Sequence, residues 1–358
     1  MRAAQAVVDG QALVHNVRVV RQRIGHRRIW AVVKANAYGH GLAEVANILR
    51  HEVDGFAVSC VEEAAVLRAN EIRNPILLLE GPFEASELAV AERLGLELVI
   101  HCEAQLRDLL AFPFSQPVRV WIKCNTGMNR LGFPLNRVEQ VYQALVRCPH
   151  IDNPPGLMTH FANADIANDP MTKRQWHQFL SSAAGKGGRL SAANTAAILN
   201  FPQALGDWVR PGLMLYGCSP NPSQIGSDIG LIPAMTLRTR VIAKHRLSPG
   251  DVVGYGATWV VKRPTNVVIA AIGYGDGYPR HAQNGTPVWV AGEVHQLAGR
   301  VSMDMIAIDI GQRDDVGIGD PVVLWGKELP VEKVAAAAGT IPYELLCSVS
   351  QRVNYVYI

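Results

Sequence analysis

The sequence has almost no excess charge and no paired-cysteine motif. Its 358 residues carry 34 Lys and Arg against 31 Asp and Glu, a formal net charge of +3. A charge this small gives no electrostatic reason to expect binding to nucleic acid or to an anionic membrane. None of the six cysteines has another at C-x-x-C spacing. The sequence therefore predicts neither a zinc site nor a redox pair, and no metal ligands.

Long apolar runs are missing as well. No segment stays apolar over the length of a membrane-spanning helix, and the N-terminus lacks a continuous apolar stretch with a cleavage site. We therefore expect a cytoplasmic protein with reduced thiols and no membrane partner. Hydrophobic residues still make up 49% of the chain and charged residues 18%, which predicts large buried cores in a chain long enough for two domains.

Short apolar runs recur through the first two-thirds of the chain and alternate with helix-like segments. Each run is apolar throughout, which is typical of parallel strands covered on both faces. Eight of them predict the strands of a (β/α)8 barrel; they are 29–35, 55–60, 75–80, 96–102, 118–124, 156–161, 189–194 and 212–217. A doubly wound sheet is the alternative, but it usually needs fewer strands, and no glycine-rich fingerprint follows the first one.

The composition changes at 219–235, which is rich in Pro, Gly and Ser. Beyond it, short strand-like runs follow one another at the spacing of an all-β domain, with one helix-like segment at 330–339. We therefore predict an α/β protein with an N-terminal (β/α)8 barrel over 1–235 and a C-terminal mainly-β domain over 236–358. The first few residues could pair with the second domain.

Polar and titratable side chains follow the predicted barrel strands. In such barrels the C-terminal strand ends form the mouth, where the chemistry occurs. Any one of these residues would more often be a solvated strand end, but their convergence on one face favours an active site. They are Lys34, Cys60, Glu80, His101, Lys123, Arg130, His160, Asn194, Thr195 and Arg210.

Lys34 ends the first predicted strand, in "AVVKANAYGHG". An amine desolvated in a barrel mouth has a lowered pKa and can attack a carbonyl group. Many barrel lysines instead bind phosphate, so the pattern alone leaves both roles open. Tyr38 falls where the first helical turn would begin, from which its hydroxyl could reach an anion near Lys34.

"VRPGLMLYG" (209–217) surrounds the last predicted strand. The loops after the last strands are the usual phosphate site of such barrels. The backbone N–H groups of Gly212 and Leu213, with the Thr195 hydroxyl, could form that site. A plain strand entry with a surface Arg210 is the alternative.

Two glycine-rich motifs lie in the predicted β domain, "GYGATW" (254–259) and "GYGDGYPR" (273–280). Neither matches a dinucleotide loop, and hairpin turns explain the glycines. Hairpins do not explain why Tyr255, Tyr274 and Tyr278 all lie beside these glycines.

With these residues, the chain resembles the bacterial alanine racemases, pyridoxal-phosphate-dependent enzymes with an N-terminal barrel and a C-terminal β domain. The resemblance runs nearly end to end, in matching order. Its motifs are AVVKANAYGHG (31–41), KCNTGMNRLGF (123–133), THFANAD (159–165), VRPGLMLYG (209–217), VGYGATW (253–259), GYGDGYPR (273–280) and GRVSMDM (299–305).

The resemblance implies an amino-acid racemase, an isomerase that interconverts L-alanine and D-alanine. It would act by two-base proton transfer at Cα of a pyridoxal 5'-phosphate aldimine, in a homodimer with shared active sites. Lys34 would form the aldimine and serve as one base. Tyr255 of the other subunit would be the second base.

The resemblance also implies the remaining contacts. Tyr38, Thr195 and the backbone at Gly212 and Leu213 would hold the cofactor phosphate. Arg210 would face the pyridine nitrogen, with His160 supporting it. The further residues implied are Arg130 and Met303 for the substrate carboxylate, and Lys123, Tyr274 and Asp304 in supporting positions; in some members the lysine matching Lys123 is carbamylated.

Gln351 and Asn354 depart from the family pattern, in "SVSQRVNY", where some members have a phosphate-contacting tyrosine and a proline. Tyr355 could take over that contact. The sequence leaves open a broader substrate range that includes serine, and whether D-alanine is made for cell-wall peptidoglycan or alanine is broken down. A Schiff-base aldolase and a non-catalytic pyridoxal-phosphate carrier are the rival classes, but both leave the β domain unused.

Overall fold

The computed structural model describes residues 3–358 and divides them into two compact units. One runs from Asn16 to Leu215, and the other combines the residues up to His15 with Tyr216–Ile358. The first is the barrel unit and the second is the β unit.

Eight parallel strands close into a barrel in the first unit, so the predicted (β/α)8 barrel is confirmed. They are β2 (Arg28–Val32), β3 (Gly55–Val58), β4 (Ile76–Leu78), β5 (Leu96–Ile100), β6 (Val120–Asn125), β8 (Gly156–Met158), β9 (Leu190–Asn194) and β10 (Trp208–Arg210). Strand β10 pairs back with β2, and the short β7 (Phe133–Pro134) is added beside β6.

Helices follow most of these strands, because the runs between them carry an apolar stripe that packs on the sheet. They are α2 (Lys34–Gly39), α3 (Leu42–Leu49), α4 (Val61–Ala69), α5 (Glu87–Leu94), α6 (Glu103–Ala111), α7 (Leu135–Val146), α8 (Pro170–Ala183) and α9 (Thr195–Asn200); α1 (Gly10–Ile24) begins before the unit does.

Three tryptophans fill the barrel interior. Trp30 and Trp208 stack with ring centroids 4.2 Å apart, and Trp121 belongs to the same buried cluster. Gly55 and Gly156 make room for them. A Cβ on Gly55 would lie 2.3 Å from the Trp30 ring, and one on Gly156 would lie 2.5 Å from the Trp121 ring. The interior is therefore a packed core and not a channel.

The last barrel strand differs from the prediction. The run 212–217 was expected to be a strand, but Leu213–Tyr216 form a 3-10 helix, and the strand is Trp208–Arg210. Pro211 explains the difference, because it lacks the N–H that would continue the ladder. As a result Arg210 ends the last strand, and Gly212 begins the loop that follows it.

The β unit is built on an eight-stranded sheet, ordered β14-β17-β16-β15-β18-β11-β1-β19. Its strands are β1 (Gln5–Val8), β11 (Met235–Leu247), β14 (Thr265–Ala270), β15 (Pro287–Val290), β16 (Glu293–Leu297), β17 (Ile306–Gly311), β18 (Pro321–Trp325) and β19 (Asn354–Tyr357). A separate hairpin pairs β12 (Val252–Val253) with β13 (Trp259–Val260). The helices are α10 (Val331–Ala338) and α11 (Pro342–Cys347).

The division between the units lies earlier in the chain than the expected boundary at residue 235. The segment from Tyr216 to β11 packs with the β unit. Strand β1 lies between β11 and β19, so the first residues also belong to that unit. Within residues 3–358, no helix has both the length and the apolar character needed to cross a membrane.

Candidate active site

The mouth of the barrel unit collects the predicted site residues that precede residue 216. Each follows or ends a barrel strand, and parallel strands bring their C-terminal ends to one edge. They are Lys34 after β2, Lys123 and Arg130 in and after β6, His160 after β8, Thr195 after β9, and Arg210, Gly212 and Leu213 at and after β10.

A left-handed turn follows Lys34. The sequence predicts an ordinary first helical turn here, but Ala35, Asn36, Ala37 and Tyr38 have φ of 53°, 54°, 53° and 52°. Each L-residue costs about 1–2 kcal/mol in this conformation, so surrounding contacts must enforce it. Tyr38, at the end of this turn, lies beside the loop that follows β10, the strand that pairs with β2. A Cβ placed on Gly212 would lie 2.5 Å from the Tyr38 hydroxyl oxygen.

The Lys34 amine lies in the open mouth. Its side chain is 37% exposed, and Nζ lies 3.6 Å from Oε1 of Glu80. Glu80 follows β4, two strands away around the barrel. The amine is therefore accessible to a ligand and has a carboxylate nearby.

Thr195 and Gly212 are joined by a hydrogen bond between the last two strands, at a place called the cradle below. The Thr195 Oγ1 accepts hydrogen bonds from the N–H groups of Gly212 at 3.1 Å and Met214 at 3.4 Å. The hydroxyl keeps its own hydrogen to donate outward. Leu213 is fully buried and begins the 3-10 helix. The Tyr38 hydroxyl lies beside the cradle. It fits there because residue 212 is a glycine, whose missing Cβ leaves room for the hydroxyl.

Arg210 is buried in the floor of the mouth. Nη1 donates to Ser191 Oγ at 2.6 Å, and Nη2 donates to the carbonyls of Thr159 and Ala192 at 2.6 and 3.1 Å and to His160 Nδ1 at 3.4 Å. These bonds all start at the two terminal nitrogens, so Nε–H can face a ligand. Burial lowers the pKa of Arg210 to about 10, which leaves it charged at neutral pH.

The pKa values of Lys123 and His160 are lowered, first by burial and then by neighbouring cations. Burial, followed by the charges of Arg210 and Arg130, lowers the pKa of Lys123 to about 7. Burial and Arg210 hold the pKa of His160 well below its usual value. His160 is therefore neutral, as it must be to accept a hydrogen bond from Arg210. Clusters of groups with shifted pKa values mark functional sites.

Three other residues at the strand ends are N-cap residues of the helices that follow, and Arg130 lies exposed after β6. Asn194 caps α9, its side chain accepting from the Ala197 N–H at 3.0 Å. Cys60 and Cys102 precede α4 and α6, and burial raises the pKa of the Cys60 thiol. Cys60 therefore lacks the lowered pKa of a nucleophilic thiol.

The remaining predicted residues lie in the β unit, in loops that contact one another. Tyr255 is 68% exposed, Tyr274 41% and Met303 51%. The Tyr274 N–H donates to the Ser302 carbonyl at 3.0 Å, which joins the loop of Tyr274 to the loop of Met303. Tyr278 differs from the other two tyrosines, because it is buried and stacks on Trp325. It is a core residue.

One residue that the sequence analysis missed contacts these loops, and a second contacts the turn after Lys34 in the barrel unit. Arg352 Nη2 lies 2.5 Å from Asp304 Oδ1, and Arg352 Nε lies 3.7 Å from the buried Asp276 in the loop of Tyr274. In the barrel unit, Glu63 accepts from the Ala35 N–H at 2.7 Å. Neither residue lies in a motif, so only the folded structure reveals them. Tyr355 lies in β19, and burial raises its pKa to about 12.

A barrel with an accessible lysine after its first strand, the cradle after its last and several cations at the same mouth is typical of barrel enzymes. Two family models cover most of the chain: alanine racemase, N-terminal domain, at residues 8–220, and alanine racemase, C-terminal domain, at 234–357. The chain belongs to the alanine racemase family.

Relatives match over their whole length. An alanine racemase of Yersinia pestis bv. Antiqua is 47% identical, with 100% of this chain and 99% of that protein covered. One of Nitrosococcus oceani is 49% identical, with 99% of each covered. The crystal structure of a biosynthetic alanine racemase from Pseudomonas aeruginosa matches with a TM-score of 0.97 and 45% identity, covering 100% of both chains.

Proposed function

We propose that this protein interconverts L-alanine and D-alanine with pyridoxal 5'-phosphate as its cofactor. The observation that carries the proposal is the grouping, in one barrel mouth, of an accessible lysine with the Thr195–Gly212 cradle. A cofactor with an aldehyde at one end and a phosphate at the other needs these two features. Family membership supplies the reaction, an isomerisation at Cα.

The residues of the mouth fit this cofactor. Gly212 and Thr195, with the Tyr38 hydroxyl beside them, would hold the phosphate; the missing Cβ at position 212 is what lets the Tyr38 hydroxyl lie there. The Arg210 Nε–H would face the pyridine nitrogen. An arginine side chain offers only donors, so that nitrogen would have to accept. The Lys34 amine would hold the aldehyde end.

The chemistry that the bound cofactor supplies is delocalisation of the negative charge left at Cα when its proton is removed. Racemisation also needs a proton acceptor on each face of Cα. Lys34 would serve one face and Tyr255 the other. Arg130 would bind the substrate carboxylate, helped by Met303, and the pKa of Lys123 near 7 makes its amine able to react with carbon dioxide at neutral pH.

The second base is proposed to come from a partner subunit. Tyr255, Tyr274 and Met303 are all exposed in the β unit, which suits residues that complete another subunit's site. We propose a homodimer on this basis, with Asp304 and Arg352 holding the loop of Met303. The cytoplasmic location, the substrate range and the replacement of a phosphate contact by Tyr355 stay predictions.

The test is isotope incorporation. The purified protein, loaded with cofactor, is incubated with L-alanine in D2O, and chirality and Cα deuterium are followed together. We expect racemisation with deuterium gain in wild type, and loss of both in Lys34→Ala. Tyr255→Phe should slow racemisation equally in both directions, because the two enantiomers have equal free energies. Incubated with each enantiomer in turn, it should lose Cα deuterium exchange in one enantiomer far more than in the other, since each base serves one face of Cα. Cofactor binding without exchange would refute alanine as the substrate.

A further inference from the structure

The left-handed turn Ala35–Tyr38 needs support from outside itself. Non-glycine residues adopt this conformation only where their surroundings enforce it. The Ala37 N–H bonds back to the Val33 carbonyl at 2.8 Å. The Ala35 N–H lies at the start of the turn, where a helical segment leaves its donors without an internal acceptor.

Glu63, on α4, supplies the missing acceptor. Its Oε1 accepts from the Ala35 N–H at 2.7 Å, while its Oε2 accepts from the Ser59 N–H at 2.9 Å and the Ser59 hydroxyl at 3.0 Å. Ala35 follows β2 and Ser59 follows the neighbouring β3. One carboxylate therefore ties together the first two loops of the barrel mouth with three charge-assisted hydrogen bonds.

A carboxylate is needed for this arrangement. Each oxygen of Glu63 faces backbone donors, and a carboxylate has two acceptor oxygens and no hydrogen. A glutamine at this position would offer one oxygen and would turn an NH2 group toward an N–H donor. The two side chains have nearly the same shape, so this substitution isolates the acceptor function.

We propose that Glu63 is a positioning residue for the cofactor site. Its carboxylate fixes the left-handed turn, and thereby the Tyr38 hydroxyl beside Gly212. The turn begins directly after Lys34 and ends with Tyr38, so its displacement would move both ends of the cofactor site. The effect on cofactor binding rests on the function proposed above, whereas the effect on the turn does not.

Glu63→Gln tests the proposal in the full-length protein. Hydrogen exchange of the 35–39 amides is measured without cofactor, and the affinity for pyridoxal 5'-phosphate is measured by visible absorbance. Loss of a charged hydrogen bond predicts about tenfold faster exchange in the turn and about tenfold weaker binding. The exchange of the distant barrel strands should stay as in wild type.

Glu62→Gln is the matched control. Glu62 is the preceding residue on the same helix, and its side chain is exposed. We expect this variant to behave as wild type in both measurements. The proposal is overturned if Glu63→Gln and Glu62→Gln give the same results, or if exchange rises evenly over the whole barrel.

Glu63→Asp covers the case in which Glu63→Gln does not fold. Aspartate keeps the charge but is one methylene shorter, so it cannot span both loops. Faster exchange confined to the turn would support the proposal, and unchanged exchange would refute it. If wild-type protein binds no cofactor, the proposed function fails, while the exchange measurement still decides the role of Glu63.

Discussion

The charged side chains at the two ends of the barrel have opposite surroundings. At the N-terminal strand ends, Arg119 lies 2.9 Å from Asp152 and 3.3 Å from Glu97, whose other oxygen accepts from Trp121 Nε1 at 2.8 Å. The hydrogen bond that Arg119 donates to Asp152 raises the pKa of Arg119. At the C-terminal mouth, burial and neighbouring cations instead lower the pKa of Lys123 to about 7.

This difference separates structural charge from functional charge. Paired ions at the bottom of a barrel stabilise the fold, whereas residues at the mouth perform the chemistry. Among the residues that the structure describes, neither Lys123 nor Arg210 has a carboxylate within ion-pair distance. An excess of cations in a partly dry site is costly, and an anionic cofactor and substrate would relieve that cost.

Substituting one cation at each end of the barrel should give the largest difference in activity. Lys34→Ala should reduce racemisation at least about thousandfold, because it removes both the cofactor attachment and one base. Arg119→Ala should leave the racemisation rate unchanged and lower the free energy of unfolding by about 1 kcal/mol. Steady-state kinetics and urea unfolding of both variants measure this. Loss of activity in Arg119→Ala would contradict the claim that charges at the N-terminal strand ends serve only stability.

Mixing two inactive variants tests whether the mouth is completed by another subunit. If Tyr255 acts in trans, dimers that combine Lys34→Ala with Tyr255→Phe regain one intact site. Random re-assortment should then restore about a quarter of wild-type activity, because half of the dimers are mixed and each has one good site. A mixture as inactive as its components would show that each chain supplies both bases.

Removing one hydroxyl from the cradle should have a smaller effect. Thr195→Val deletes the acceptor of the Gly212 N–H and should weaken cofactor binding about ten- to hundredfold. Thr172→Val is the matched control in the same unit. Among the described residues, the buried Thr172 hydroxyl has no hydrogen-bond partner. Absorbance titration compares the cofactor affinities of the two variants. Equal affinities would show that the cradle does not bind the cofactor.

The last effect concerns the stability of the protein and not its activity, and it depends on pH. In the folded protein Lys123 loses its proton near pH 7, but in the unfolded chain near the usual 10.5. Between these values the unfolded state binds more protons, so stability rises with pH. The slope contributed by Lys123 approaches about 1.4 kcal/mol per pH unit. Below pH 7 the lysine is charged in both states, and its burial cost is then fully present.

Lys123→Met should abolish that slope and stabilise the cofactor-free protein most below pH 7. Urea unfolding at pH 6, 8 and 9.5 measures the difference between the variants. Parallel stability profiles for wild type and Lys123→Met would contradict the lowered pKa.

Much of the fold could be predicted from the sequence, because buried parallel strands are apolar over their whole length. The same property produced the error at 212–217. Leu213–Tyr216 are buried in a 3-10 helix, and apolar composition reports burial without reporting backbone form. Pro211 was the signal that the strand had already ended. Strand β1 is short and its partners are far away in sequence, so its pairing could be stated only as a possibility.

The site was only partly predictable. Motifs at strand ends marked Lys34, Thr195 and Arg210, because the barrel brings these ends together. The reversed hand of the turn after Lys34 was not predictable, since no glycine stands at 35–38 to indicate positive φ. Glu63 was not predictable either. Its hydrogen-bond partner Ala35 is distant in the sequence, and no motif contains both residues.

The most direct test of the account is to find which amine reacts with the cofactor aldehyde. Two lysines compete in the mouth: the accessible Lys34 and the buried Lys123, whose pKa is lowered to about 7. Borohydride reduction of the cofactor-loaded protein, followed by peptide mapping, identifies the labelled side chain. The account predicts label on Lys34 alone. Label on Lys123, or spread over surface lysines, would contradict it.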